Sequence, residues 1–178
     1  MTFQFVFGCD EELAQWCCAK VAWMDYSPGM RAVGVAESDD PAAKILAAVV
    51  YHNYVPAKMV QGKEWYNHVE VSFAASSPRF ATRETIRSLL KVPFDQYKVR
   101  HVLVTIPSIN ERAMRFVKGI GFKPRGTLAD YYSKGVHACV FGLHRNTFKG
   151  PTFLARKPRP PERRTVYGQE YAIGAASA

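Results

Sequence analysis

A chain of 178 residues, 48% of them apolar, can bury one sizeable core, so a single domain is expected. Its formal charge of +9, from 24 Lys and Arg against 15 Asp and Glu, favours anionic partners such as nucleotides, phosphates, nucleic acid or acidic proteins without choosing among them. Cys9, Cys17, Cys18 and Cys139 include no CxxC spacing and fit neither a disulfide framework nor a zinc site, and no apolar run approaches the ~20 residues of a membrane span, so a cytoplasmic protein without metal or membrane association is expected.

Thr2 to Phe7 alternates as a short strand. Asp10 is then placed to cap a helix whose apolar positions Leu13, Trp16, Cys17, Val21 and Met24 recur at helical spacing, and Tyr26-Ser27-Pro28-Gly29 ends it with turn chemistry. Arg31 to Ala36 and Ile45 to Tyr54 read as a strand pair around the turn-rich Glu37-Ser38-Asp39-Asp40-Pro41. A less regular stretch holding Gln61-Gly62-Lys63 follows. Asn67 to Ala74 is the next strand, with Val69, Val71 and Phe73 on one face, and Ser76-Ser77-Pro78 breaks it.

Thr82 can cap a helix carrying Ile86, Leu89 and Leu90, which Pro93 limits. After the strand Arg100 to Ile106, Ser108 and Glu111 stand at capping-box spacing, and Ile109, Ala113, Phe116, Val117 and Ile120 form an apolar stripe. Gly121 supplies a left-handed stop. Lys123 to Tyr132 and Val136 to Leu143 complete the set as two strands joined around Ser133-Lys134-Gly135. The order is that of a mixed α/β domain over residues 1–143. Residues 144–178 form a basic, proline-rich extension, with Lys or Arg at 145, 149, 156, 157, 159, 163 and 164 and an ending of small residues, Ala172 to Ala178.

Asn110 and Ala113, followed by the pair Gly121-Phe122, make an N-x-x-A helix with a G-F stop directly after an apolar strand. With the element order over residues 2 to 143, these residues resemble the GNAT superfamily of acetyl-coenzyme A-dependent N-acetyltransferases. The glycine of Lys123-Pro124-Arg125-Gly126 resembles the family's post-helix strand, and Phe80-Ala81-Thr82-Arg83 with Pro93-Phe94 looks closest to the ribosomal-protein N-terminal acetyltransferase branch and its phage-encoded relatives. The resemblance implies a central mixed, mostly antiparallel sheet flanked by helices.

It also implies acetyl-coenzyme A as co-substrate and a primary amine as acceptor, on a small molecule, a protein amino terminus or a lysine. The cofactor pyrophosphate would lie at the loop opening a helix, where main-chain N–H groups and positive potential concentrate. Arg79 takes the first position of the family's R/Q-x-x-G-x-G/A pattern, and Thr82 and Glu84 replace its glycines. Arg79 and Arg83 could supply charge-assisted phosphate contacts instead. Val71 and Phe73 lie on the strand whose main-chain N–H would hold the developing oxyanion, and Asn110 matches a residue touching the cofactor arm. Glu70 is the first candidate general base and His68 the second. Val117 stands where many relatives carry the tyrosine that protonates the departing thiolate, so water or another donor would be needed.

Each of these positions has a structural use as well. Arg79 and Arg83 can be solvated helix-start cations, Glu70 an exposed strand acid, and Asn110 a helix-start hydrogen-bonding group. Tyr51, His52, Asn53 and Tyr54, with Trp65 and Tyr66, either gather at an acceptor pocket or serve as packing and rim. Cys17 and Cys18 have no visible activating base. The extension is expected to be a solvated tail or a strap docking on its own domain, a protein partner or a second subunit; nucleic-acid association, with Phe148, Phe153 and Tyr167 adding stacking, is a weaker reading. The alternative to an enzyme is a catalytically degenerate phage protein of this fold that acts as a virion or host-protein interaction module.

Overall fold

The computed structural model describes residues 3–21, 23–38, 40 and 43–149, together with the backbone of two short strands at 163–166 and 169–172. The main elements are β1 (Gln4–Val6), α1 (Asp10–Cys18), β2 (Arg31–Ala36), β3 (Ile45–Val55), β4 (Lys58–Val60), β5 (Lys63–Trp65), β6 (His68–Ala75), α2 (Arg83–Lys91), β7 (His101–Pro107), α3 (Glu111–Gly119), β8 (Lys123–Ser133), β9 (Val136–His144), α4 (Arg145–Lys149), β10 (Arg163–Val166) and β11 (Gln169–Ala172). A seven-stranded sheet in the order β1-β2-β3-β6-β7-β9-β8 forms the centre, and every neighbouring pair in it is antiparallel except β6 with β7. The parallel pair follows from the crossover through α2, which returns the chain to start β7 beside the start of β6.

Alternation along the strands assigns the two faces of the sheet. Val69 and Val71 of β6, Val102, Val104 and Ile106 of β7, and Phe141 and Leu143 of β9 pack with Ile86, Leu89 and Leu90 of α2 and Val117 of α3 as the main core. The opposite face is covered by α1 only over β2, β3 and the far end of β6, where Leu13, Ala14 and Cys17 meet Ala32, Ala48, Val50 and Ala74. Gly34 makes this close approach possible, because a Cβ there would stand 2.8 Å from Leu13 Cδ2. His101, Leu103 and Thr105 of β7 share that face, as do their β9 partners His144, Gly142 and Val140.

Several local expectations change. Helix α1 ends at Cys18, well before Tyr26, and its N-cap is Cys9. Asp10 does not cap: its carboxylate accepts from the Ala32 N–H at 2.8 Å and from Arg31 at 2.7 Å, so it ties α1 to β2. The irregular stretch around Gln61-Gly62 is a hairpin, β4 with β5, whose two central residues have φ of 50° and 73° as a type I′ turn requires. No Ser108–Glu111 capping box forms. Asn110 is the N-cap of α3, with Oδ1 accepting from the Ala113 N–H at 3.0 Å, and Ser108 Oγ accepts instead from the His137 N–H. Ile109 is 68% exposed and leaves the apolar stripe. Thr82 does cap α2, accepting from the Thr85 N–H at 3.1 Å, and Gly121 has φ 106°.

The packed core continues past Leu143. Phe148 of α4 is buried and stacks on Phe94 with ring centroids 4.7 Å apart, while the Arg145 guanidinium donates to the Phe94 and Lys98 carbonyls. Within the extension, β10 pairs antiparallel with β11; its remaining residues past Lys149, and with them the expected strap, lie outside the described residues. No helix among the described residues is long and apolar enough to cross a membrane.

Candidate active site

Strands β6 and β7 pair only over His68↔His101, Val69↔Val102 and Glu70↔Leu103, then separate. Beyond Glu70 the main-chain groups of β6 that point toward β7 have no strand partner, which leaves an unsatisfied edge inside the sheet. Two clefts open onto this gap. The one on the α3 side, about 360 Å³, is lined by Phe73, Val104, Ile106, Asn110, Ala113 and Val117 among others. The one on the opposite face, about 470 Å³, is lined by His52, Asn53, Glu70, Leu128, Tyr131 and Tyr132 among others. Val21, Trp23, Ser72, Thr105 and Pro107 line both, so the clefts meet through the gap.

On the second face Glu70 is held by its neighbours. Thr105 Oγ1 donates to Oε1 at 2.6 Å and Asn53 Nδ2 to Oε2 at 2.9 Å. Asn53 reaches it because β3 is irregular there: the residue has φ 50° and the register shifts between His52 and Val55. A carboxylate has about four acceptor positions, so Glu70 keeps capacity for a further donor. His52 is the register partner of Glu70, and its Nε2 is 3.0 Å from Ser72 Oγ. Burial pushes the His52 pKa down, against the opposing pull of Glu70 and Asn53, so the imidazole is neutral at pH 7. The Tyr132 phenol is held above its ordinary range by burial, with Tyr131, Glu70 and Cys139 adding to it, and its ring stacks on Trp23 at 5.6 Å. A protonated phenol and a neutral imidazole therefore flank one carboxylate.

Glu70 and Asn110 lie on the two clefts, and Phe73 lines the α3 side, its ring edge-on to Phe116 at 6.3 Å. Val71 is buried in the main core, so only its main chain can serve the gap. His68 stands one step back along β6, at the paired end, and lines neither cleft. Arg79 is ion-paired to Glu37 at 2.5 Å. The turn ahead of α2 uses its own N–H groups: Arg79 N donates to Ser77 Oγ, Ala81 N to the Pro78 carbonyl and Thr82 N to the Phe80 carbonyl. Arg83 opens the helix that Thr82 caps.

Of the aromatic and polar cluster, His52 and Asn53 reach the site, whereas the Tyr51 hydroxyl donates to the Leu89 carbonyl in the core. Trp65 and Tyr66 line neither cleft at the gap. Cys17 is buried and its thiol is pushed up to about 12, which removes it as a nucleophile. Trp23, Ser72, Thr105 and Tyr132 were not singled out from the sequence; the one available signal was a polar residue, Thr105, in the otherwise apolar strand Val102 to Ile106. A larger cavity of about 560 Å³ beside Arg31, Tyr51 and Tyr97 shares Met30, His52 and Asn53 with the Glu70-side cleft, and its guanidinium is paired to Asp10. Among the described residues no group of three His, Cys, Asp or Glu converges as a metal site.

No protein-family model matches the chain, and no curated protein is similar to it in sequence. Among solved structures it is similar to a single-site mutant of the spermidine N-acetyltransferase SpeG from Vibrio cholerae, at a TM-score of 0.62 and 12% identity over 83% of this chain and 95% of that one. It is similar also to NAA60 from Arabidopsis thaliana in complex with acetyl-CoA, at a TM-score of 0.60 and 13% identity over 82% of this chain and 98% of that one. The chain has the GNAT acetyltransferase fold.

Proposed function

We propose that this chain transfers the acetyl group of acetyl-coenzyme A to a primary amine by direct attack on the thioester. The observation that carries the reading is the gap between β6 and β7, with a cleft on each side of it and Glu70 on the second cleft, bonded to Thr105, which lines both. Asn110 and the free main-chain edge of β6, including Val71 and Phe73, would hold the co-substrate from the α3 side. Arg83 and Thr82 would lie toward its phosphates, and Arg79 would join them by exchanging or sharing Glu37. When bound, acetyl-coenzyme A supplies an activated carbonyl.

On the other side an ammonium must lose a proton before its lone pair can attack. Glu70, oriented by Thr105 and Asn53, would hold the incoming nitrogen, and the proton passes to Glu70 or, through Ser72 or water, to neutral His52. His68, one step away, is not needed as a base. Val117 cannot donate to the leaving thiolate; the proton would come from water or from Tyr132, which lines the Glu70-side cleft and is protonated at neutral pH. A non-catalytic role as a protein-interaction module is the second reading, favoured by the internal bonding of the turn before α2 and by the Arg79–Glu37 pair.

Titration calorimetry with acetyl-coenzyme A separates the two. Binding at micromolar to millimolar affinity, followed by thiol release on adding amines, supports transfer; no heat and no thermal shift at millimolar co-substrate supports the interaction module.

A further inference from the structure

On the face that carries Glu70, two successive rows of side chains cross three strands. Glu70, Leu103 and Gly142 are register partners in the first, and His68, His101 and His144 in the second. The His101 and His144 rings are 4.8 Å apart. The row is not a metal centre, because no group of three ligands converges among the described residues and the surrounding charges are positive. Burial lowers the His101 pKa first, and His144, Arg125, His68 and Arg100 lower it further.

Arg125 reaches this face by a specific device. The β8 register shifts between Pro124 and Gly126, so Arg125 is the extra residue of a bulge, which re-aims its side chain. It lies over Gly142: a Cβ at that glycine would stand 2.9 Å from Arg125 Nε and 3.3 Å from Leu103 Cδ2. A guanidinium and a histidine row thus stand across Leu103 from Glu70, the one carboxylate of the first row, and from Asp25, which lines the same cleft as Glu70. Strand geometry puts His101 and the Gly142 position under Arg125 roughly 8–10 Å from Glu70, and His144, two residues along and two strands across, roughly 12 Å from it.

Resting on the acyl-transfer reading above, we propose that the acceptor is an anionic amine, whose nitrogen meets Glu70 while a carboxylate or phosphate about 8–10 Å away meets Arg125 and His101, beside His144. The two ends of such a molecule match the sign of charge at the two ends of the face. A monoamine with no second charged group would leave the guanidinium unsatisfied, and a diamine of equal length would face it with like charge. Binding the anion offsets the neighbouring positive charges, so His101 takes up a proton more readily and binding tightens as pH falls from 8 to 6.

The probes are 6-aminohexanoate, hexylamine and 1,6-diaminohexane. A charge-assisted contact predicts kcat/KM for 6-aminohexanoate about tenfold or more above both others, with the ratio lost or inverted in Arg125→Glu. Ratios near one, or unchanged in the variant, overturn the inference while leaving acetyl transfer standing. If no amine is acetylated, transfer fails and a binding measurement decides the rest. The His101 and His144 imidazole resonances should shift on adding 6-aminohexanoate and not hexylamine, and the shift should vanish in Arg125→Glu. Resonances unmoved by 6-aminohexanoate overturn the anion site whatever the enzymatic result.

Discussion

One face of the sheet divides into two regions built on opposite principles. Over β2, β3 and the end of β6, small residues (Ala32, Gly34, Ala48 and Ala74) let α1 press Leu13 and Cys17 against the strands. Over the remainder of β6 and over β7, β9 and β8, the same face carries Glu70, Thr105, Arg125 and a histidine row, with no helix of the described residues across them. The first region contributes buried apolar area, and the second contributes polar groups held in place by strand register. Their common feature is β6, whose Ala74 packs under α1 while Glu70 and Ser72 face a cleft. The difference teaches that stability and chemistry have been placed on separate stretches of one face, so substitutions should affect one without the other.

The largest expected effect lies on the uncovered side. Glu70→Gln keeps the size and the Thr105 bond but removes the base, so thiol release with a saturating amine should fall about 10²–10⁴-fold. Its denaturation midpoint should stay within the scatter of ordinary surface substitutions. A rate within a few-fold of the parent would remove Glu70 from the mechanism; a large loss of stability would show that the two regions are not separable.

On the covered side the complementary change is Leu13→Ala. Leu13 is 4% exposed and seated on Gly34, so truncation leaves a cavity worth about 2–5 kcal/mol of stability, read from urea or thermal unfolding. Glu70, Thr105 and Asn53 do not touch it, so the kcat of the folded fraction should be retained. A kcat that fell in step with stability would mean that α1 positions the gap as well as covering it.

How far this division was legible from the sequence depends on the range of the interactions. Thr82 as a cap and Gly121 as a left-handed stop were readable because their partners are within a few residues. Asp10 and Ser108 have equally good local credentials, and both were drawn to partners far along the chain, Ala32 with Arg31 and His137. Glu70 could be proposed from its place on the strand before the loop where the family resemblance puts the pyrophosphate. Its holders could not, because Thr105 and Asn53 lie 35 and 17 residues away and meet it only through strand register and an irregularity in β3. His68 was a reasonable second base by composition, yet a two-residue step along the strand moves it to the paired end. The splay itself has no local signature, since it is a property of two strands joined by a crossover.

A smaller effect sharpens the boundary between the regions. Asp10 holds α1 to β2 through the Ala32 N–H and Arg31, and although burial raises its pKa, these two partners outweigh it and the net shift is downward. A carboxyl with a folded pKa below its unfolded value contributes stability that is present above the unfolded value, near 3.8, and is lost as pH falls through the folded one. Asp10→Asn should therefore be less stable than the parent at pH 7, by about 1 kcal/mol, the size of a hydrogen bond to a charged partner at a half-exposed site. That difference should shrink progressively below pH 4, while the parent keeps its advantage from pH 5 upward. Unfolding midpoints measured at pH 3, 5 and 7 decide it: a gap that does not depend on pH would mean that Asp10 contributes through packing, and that its charge does not hold α1 over the covered half of the sheet.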